Sequence, residues 1–217
     1  VVAMLRAAQA VAARALADAQ GLEAPPNGQH AINLMLAVEN LADHLTHFHL
    51  FFTPDLTRPV YAHRPWFAEA QRRWAAQAGA HARAAVAARQ RWFEIVGTLG
   101  GKWPHTHSLE PGGSARAIDA AERLRLLARL REFQAFLETT LFGAPLDEVA
   151  ALPDEAALAA WQARDPLRGD LRLFLTIAAD LGLDALGPGP GRYLSHGAYP
   201  LADGGHAFAR GVWDAAA

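Results

Sequence analysis

The sequence contains no cysteine, which excludes disulfides and thiolate chemistry within these 217 residues. Long apolar runs are also missing, because Arg, His, Asp or Glu interrupts each one well short of the ~18 residues that a membrane-spanning helix needs. An excess of positive charge is missing too, since the formal net charge is −2 and the 20 basic residues are spread along the chain. We therefore expect neither nucleic-acid binding nor direct membrane insertion, and the first 20 residues do not resemble a signal peptide.

The composition that remains is typical of a mainly α globular protein, with 52% apolar and 19% charged residues. Residues 1–182 are predicted to form a multi-helix domain. Residues 183–217 are rich in Gly and Pro and show no helical period, so we expect an irregular segment with short strands in one or two hairpins, the start of a region that the chain does not complete. Ser114 is a candidate N-cap. The predicted helices cover residues 1–20, 31–52, 65–97, 114–142, 153–163 and 168–182.

The second predicted helix is apolar at most positions, so we expect it to be buried nearly all round, but it carries one polar face. Asn40, Asp43, His44 and His47 follow the spacing i, i+3, i+4 and i+7, which places them on one side of the helix. Such a face needs an internal hydrogen-bond network, contact with solvent or a polar cavity, and the sequence leaves all three open. A zinc site from H-x-x-H-x-H is disfavoured, because His49 points roughly 160° away from His47 at about 100° per residue.

A second unusual stretch is GGKWPHTHSLEPGG, residues 100–113, between two predicted helices. Its paired glycines permit positive φ and close backbone approach, and its two prolines stiffen the chain between them. Lys102, His105 and His107 would then be presented by a rigid loop, which is typical of functional segments. An ordered surface turn is the plainer alternative. A phosphate-binding loop is excluded, since GxxxxGK[ST] is absent.

Taken together, these segments resemble the large subunit of [NiFe] hydrogenases. The resemblance is carried by INLMLAVENLADHLTHFHLFFTPD (32–55) and FEIVGTLGGKWPHTHSLEPGG (93–113), and by their order and spacing. GPGPGRYLSHGAYP (187–200) also resembles the middle region of that family. The motif pair GGKxPH and DHLxHFxxxxxPD is specific to that family. The residues in and around these motifs are most similar to those of the hydrogen-sensing and related uptake groups.

The resemblance implies a mainly helical subunit with a Ni–Fe centre that carries CO and cyanide on iron and cleaves H2 heterolytically. It implies an iron–sulfur small subunit as the partner that accepts the electrons. By position, Asp43 would belong to the polar canopy over the metals, and His105 would face the proximal cluster of the small subunit. A sensor-type parent would be cytoplasmic, and an uptake-type parent would reach a membrane only through its partners.

This chain departs from that family at the metal ligands. The family holds its metals with two C-x-x-C pairs, one expected within residues 1–5, where the sequence reads VVAML, and one beyond residue 217. Other side chains cannot replace four thiolates, so we expect this chain by itself to hold no Ni–Fe centre and to be inactive. A fragment of a hydrogenase large subunit explains the pattern, with a non-catalytic hydrogenase assembly scaffold and an unrelated helical binding module as alternatives.

Overall fold

The structure, a computed structural model, describes residues 2–187, 189–201 and 203–214, with side chains from residue 8 onward. The position expected for the first C-x-x-C pair therefore lies outside the described side chains. Nine α-helices and two small antiparallel strand pairs are formed in the described part, which confirms the mainly α prediction. Within the same residues, no helix combines the length and the apolar character needed to span a membrane.

The first two helices are α1 (Val2–Ala19) and α2 (Pro26–Thr46). Helix α2 begins five residues before the predicted residue 31, because Pro26 is suited to the first helical turn. It continues without a break into a π-helical turn, the first π segment (His47–Phe52), so the predicted end at residue 52 is confirmed. Two short 3₁₀ turns follow, at Thr53–Thr57 and Pro59–Tyr61.

The single long helix predicted over 65–97 is wrong. The structure forms three helices there, α3 (Phe67–Trp74), α4 (Ala80–Trp92) and α5 (Glu94–Gly100). The first break contains Gln77 in a left-handed conformation, with φ of 64°. Gly79 then passes so close to the backbone of α3 that a Cβ built on it would lie 2.4 Å from the carbonyl oxygen of Arg73. Only glycine fits this turn, and the alanines around it hid the break from helix propensity.

The helix predicted over 114–142 starts later than expected. It is α6 (Ala120–Phe136), continued by the second π segment (Leu137–Phe142). Its N-cap is Asp119, which forms a capping box with Glu122, a stronger start signal than Ser114 offers. Ser114 instead lies in a two-residue strand pair, β1 (Leu109–Glu110) with β2 (Gly113–Ser114).

The helices predicted over 153–163 and 168–182 agree closely with α8 (Glu155–Arg164) and α9 (Gly169–Leu181), which follow the short helix α7 (Leu146–Ala150). Helix α7 and a 3₁₀ turn at Leu183–Ala185 were not predicted. The hairpin expected near the C-terminus is also present, as antiparallel strands β3 (Arg192–Pro200) and β4 (His206–Asp214). The division of the chain into residues 1–182 and 183–217 stays a prediction.

Two apolar clusters hold the helices together. In the larger one, the indole of Trp92 stacks on Phe133 at a centroid distance of 4.2 Å and donates a hydrogen bond to the Val38 carbonyl, so that α2, α4 and α6 are joined. The smaller cluster joins α3 to α9 and consists of Leu56, Trp66, Ala70, Trp74, Leu173 and Ile177. Helix α2, which carries one of the predicted site residues, is therefore fixed from several sides.

Candidate functional site

The polar face of α2 is open to solvent over much of its length. Asp43, His44 and His47 are all exposed or partly exposed, so the expectation of a helix buried nearly all round is wrong for this face. Asn40, one turn earlier, is partly buried, and its amide donates to the hydroxyl of Tyr199 in β3 at 2.7 Å. The sequence left an internal network, contact with solvent and a polar cavity open for this face, and in this chain Asp43 is in contact with solvent. Its assignment to a canopy stays a prediction.

The three histidines of H-x-x-H-x-H separate as their helical angles predict. His44 and His47 face outward, whereas His49 is completely buried on the opposite side. His49 Nε2 lies 2.9 Å from the carboxylate of Asp170. These histidines therefore do not converge on one point.

Residues 100–113 form a loop between α5 and α6, with its glycines in the conformations that its composition predicts. Gly101, Gly112 and Gly113 adopt φ of 75°, 88° and 148°, values that favour glycine. The hydroxyl of Thr106 is buried and donates to the Gly100 carbonyl at 2.6 Å, and the backbone amide of Ser108 donates to that hydroxyl in turn. These contacts fold the loop back on the end of α5.

The same loop presents its basic side chains to solvent. Lys102, His105 and His107 are exposed, while Thr106 and Ser108 between and beside them are buried. This alternation is expected for extended backbone that lies on a helix. No hydrogen bond joins the side chains of His105 and Asp43 in the described part of the chain. The assignment of His105 to a partner's cluster stays a prediction.

Two contacts lock the loop onto α2. At the start of α2, Gly28 meets Gly113 so closely that a Cβ built on Gly28 would lie 2.6 Å from the Gly112 carbonyl oxygen. Farther along, Trp103 Nε1 donates to Glu39 Oε1 at 2.6 Å. Glu39 is the buried carboxylate of α2, and the sequence analysis did not single it out. The loop is therefore attached to α2 at two points along the helix.

A second buried carboxylate, Asp170 in α9, joins segments that are far apart in the chain. Its side chain is fully buried, and Oδ1 accepts hydrogen bonds from His81 Nδ1 at 2.7 Å and Arg73 Nη1 at 3.2 Å, while Oδ2 contacts His49. Burial disfavours the charged carboxylate, but the hydrogen bonds and charge of His49 and His81 outweigh it and lower the pKa of Asp170 to about 2. Sequence reasoning missed this cluster; an Asp in the first turn of a predicted helix was the only signal.

The side chains present do not fit a Ni–Fe centre. The chain has no cysteine, and no three His, Cys, Asp or Glu side chains among the described residues are arranged to hold a metal ion. Neither Asp43 nor His105 has neighbours that would complete a ligand set. Any role of these two residues at a metal centre would therefore be indirect.

Comparison with solved structures relates the fold to hydrogenases. A chain of the reduced, active Ni-Fe-Se hydrogenase from Desulfomicrobium baculatum matches with a TM-score of 0.64 and 18% identity, over 89% of this chain and 37% of that chain. A chain of the oxidized, as-isolated Ni-Fe-Se hydrogenase from D. vulgaris Hildenborough matches with a TM-score of 0.62 and 19% identity, over 89% and 36%. No protein-family model and no curated protein matches the chain. The predicted hydrogenase-like fold is therefore confirmed, over a little more than a third of the length of these hydrogenase chains.

Proposed function

We propose that this chain is part of the large subunit of a nickel–iron hydrogenase whose complete form cleaves or senses H2. The observation that carries the proposal is the agreement of two separate likenesses. The motif pair DHLxHFxxxxxPD and GGKxPH resembles that family in sequence, and the fold matches Ni-Fe-Se hydrogenase chains over 89% of this chain. The residues of the motifs favour a parent of the hydrogen-sensing or uptake type. If the parent is a sensor, we propose that it is cytoplasmic.

These 217 residues contain no cysteine, so another sequence would have to supply the thiolate ligands of the parent. In the proposed parent, four thiolates hold the Ni–Fe centre with its CO and cyanide, and this chain contributes surrounding structure. Asp43 would then act by its charge and hydrogen bonding, since a carboxylate near a reaction cavity shifts the energies of charged and protonated states. Its exposure in this chain is compatible with a cavity wall that other residues complete.

The role of Asp43 is tested by Asp43→Asn in the complete enzyme. We expect H2 oxidation to fall by about tenfold or more, as for removal of one preorganised electrostatic group, with the nickel content unchanged. Asp147→Asn, a carboxylate on α7, is the matched control and should leave both quantities unchanged. Loss of nickel in Asp43→Asn would show that the residue holds the centre together and that its proposed role is wrong.

The loop at residues 100–113 is proposed to face the iron–sulfur small subunit. His105→Ala should shift the reduction potential of the nearest cluster and leave the infrared bands of the active site unchanged. His107→Ala is a control of the same type on the same loop, and both histidines are exposed in this chain. Altered infrared bands with an unaltered cluster potential would refute the assignment.

A hydrogenase assembly scaffold is the second candidate, and the complete absence of cysteine in these 217 residues favours it. The two candidates differ in metal content. A purified complex of the complete parent that contains stoichiometric nickel would support the enzyme, and one that contains iron without nickel would support the scaffold.

A further inference from the structure

An open groove runs along the side of α4 and α5 next to the rigid loop. It encloses about 600 Å³ and is lined chiefly by Phe51, Val86, Arg89, Phe93, Gly97 and Trp103. We call it the Arg89 groove. Phe51 and Val86 are 69% and 49% exposed, although both are large apolar side chains. An apolar surface of this kind, bounded by polar residues, is typical of a binding site for another molecule.

Arg89 is the one charged side chain among the described residues that line the groove. Its guanidinium carbon lies 4.4 Å from the centre of the Phe93 ring and 5.7 Å from that of Trp103, so aromatic faces hold it in place. Its Nε is buried without a hydrogen-bond partner in the described part of the chain. A cation held between rings in this way is suited to bind an anionic group.

The floor of the groove has space for a side chain. Gly97 lies on α5 in helical conformation, and a Cβ built on it would meet no atom within 4 Å. Trp103 forms the neighbouring wall and is fixed by its hydrogen bond to the buried Glu39. This hydrogen bond orients the Trp103 wall before binding, which lowers the entropic cost of binding.

We propose that the Arg89 groove binds a segment of a partner protein that carries one Asp or Glu between apolar side chains. The carboxylate would pair with the guanidinium of Arg89, and an apolar neighbour would lie over Gly97 between Phe51 and Trp103. Charge complementarity selects this occupant, because the described lining offers one planar cation and no acidic side chain. Lys102 on the adjacent loop adds positive charge beyond Trp103. The proposal goes beyond the hydrogenase assignment and does not depend on it.

The test uses two fluorescein-labelled peptides, Gly-Leu-Phe-Asp-Leu-Gly and the same peptide with Asn in place of Asp, titrated with this chain by fluorescence anisotropy. We expect the Asp peptide to bind at least about tenfold more tightly, with the preference weakened by added salt. Arg89→Met, which keeps an apolar stem, should remove the preference. Arg125→Met is the matched control, because Arg125 is exposed and makes a contact of 4.0 Å with Glu122.

A second variant, Gly97→Leu, fills the floor of the groove and should weaken both peptides by about tenfold or more, with circular dichroism unchanged. Equal affinity for the two peptides, no binding up to millimolar concentration, or an Asp preference that survives Arg89→Met would overturn the proposal. Sedimentation of each variant detects a second copy of this chain in the groove. Self-association that Arg89→Met and Gly97→Leu both abolish would identify that copy as the occupant and would overturn the partner assignment.

Discussion

At the scale of single residues, Asp170 is a buried side chain that joins three segments far apart in the chain. Its carboxylate receives donors from the first π segment, from α3 and from α4, each through a hydrogen bond of 2.7 to 3.2 Å. A buried charge of this kind is costly unless its partners are complete. In this cluster His49, Arg73 and His81 all lie within hydrogen-bond distance of the carboxylate, and Arg73 is also paired with Glu69 at 2.6 Å.

Replacing Asp170 by Asn should destabilise the chain by about 3–5 kcal/mol, because the buried Arg73 and the two histidines lose their shared anion. Urea unfolding at neutral pH measures the difference. Glu148→Gln is the control, since its pair with Arg164 lies at the surface and should contribute less than about 1 kcal/mol. Equal losses of unfolding free energy in the two variants would contradict a dominant contribution of the buried Asp170 cluster.

The same cluster predicts a pH dependence. The pKa of Asp170 is lowered to about 2 in the folded chain, against about 3.9 for an unfolded aspartate. A carboxyl whose folded pKa is depressed stabilises the fold fully above the unfolded value and loses that contribution as the pH falls through the folded value. The stability gap between the natural chain and Asp170→Asn should therefore narrow from about pH 5 to about pH 2. If the difference in unfolding free energy between the two chains stays constant over that range, ionisation of Asp170 does not cause the pH dependence.

Sequence reasoning at this scale was accurate for exposed basic residues of the loop and inaccurate for buried carboxylates. Asp43 was singled out but is exposed, whereas the buried carboxylate of α2 is Glu39, one helical turn earlier. Asp170 could not be recognised, because its partners lie 121, 89 and 97 positions away. Helical periodicity identifies which residues share a face, but long-range packing decides which face is covered.

At the scale of elements, the contact between α2 and the loop at residues 100–113 depends on two glycines that face each other. Gly28 lies in the first turns of α2, and a Cβ there would be 2.6 Å from the Gly112 carbonyl oxygen and 2.9 Å from Gly113 Cα. Helix propensity alone would favour alanine at such a position. Close packing therefore opposes propensity at Gly28.

Gly28→Ala should destabilise the chain and loosen the loop, because the added methyl group pushes the loop backbone away from α2. Gly97→Ala, also in a helix but facing open space, should stabilise the chain by about 0.5–1 kcal/mol. Thermal unfolding gives the sign of each change, and amide exchange of residues 100–113 reports the loop. If both substitutions stabilise the chain equally, the proposed close contact between Gly28 and the loop at residues 100–113 is wrong.

Helix ends were predictable where the chain carries a strong signal and unpredictable elsewhere. The ends at residues 142 and 181 are followed by Gly143 and Gly182, both in left-handed conformation. The break between α3 and α4 lies in an Ala-rich stretch, and it depends on a close approach of Gly79 to α3 that only tertiary packing reveals.

At the scale of the whole molecule, the C-terminal hairpin exposes large apolar side chains on both of its strands. Leu194 lies opposite Val212 in the β3–β4 register, and Phe208 follows on the same side of β4. All three are more than 60% exposed. A two-stranded sheet with such exposed apolar side chains is only marginally stable unless another part of a protein covers them.

Replacing Phe208 and Val212 by Thr should reduce self-association of the isolated chain, because threonine keeps strand propensity and removes the apolar surface. Light scattering at a fixed protein concentration measures the change. Leu124→Gln, a similarly exposed apolar residue on α6, is the control and should have little effect. Unchanged self-association in the Thr variant would show that Phe208 and Val212 do not drive it.

Descent from a nickel–iron hydrogenase large subunit is tested most directly by sequencing the genomic DNA on both sides of the coding region and translating all three frames. Such descent predicts an R-x-C-x-x-C segment just upstream, in the same or a shifted frame, and a D-P-C-x-x-C segment downstream. These two segments would supply the four thiolates that the 217 residues lack. Flanking sequences without either segment in any frame would contradict the hydrogenase assignment.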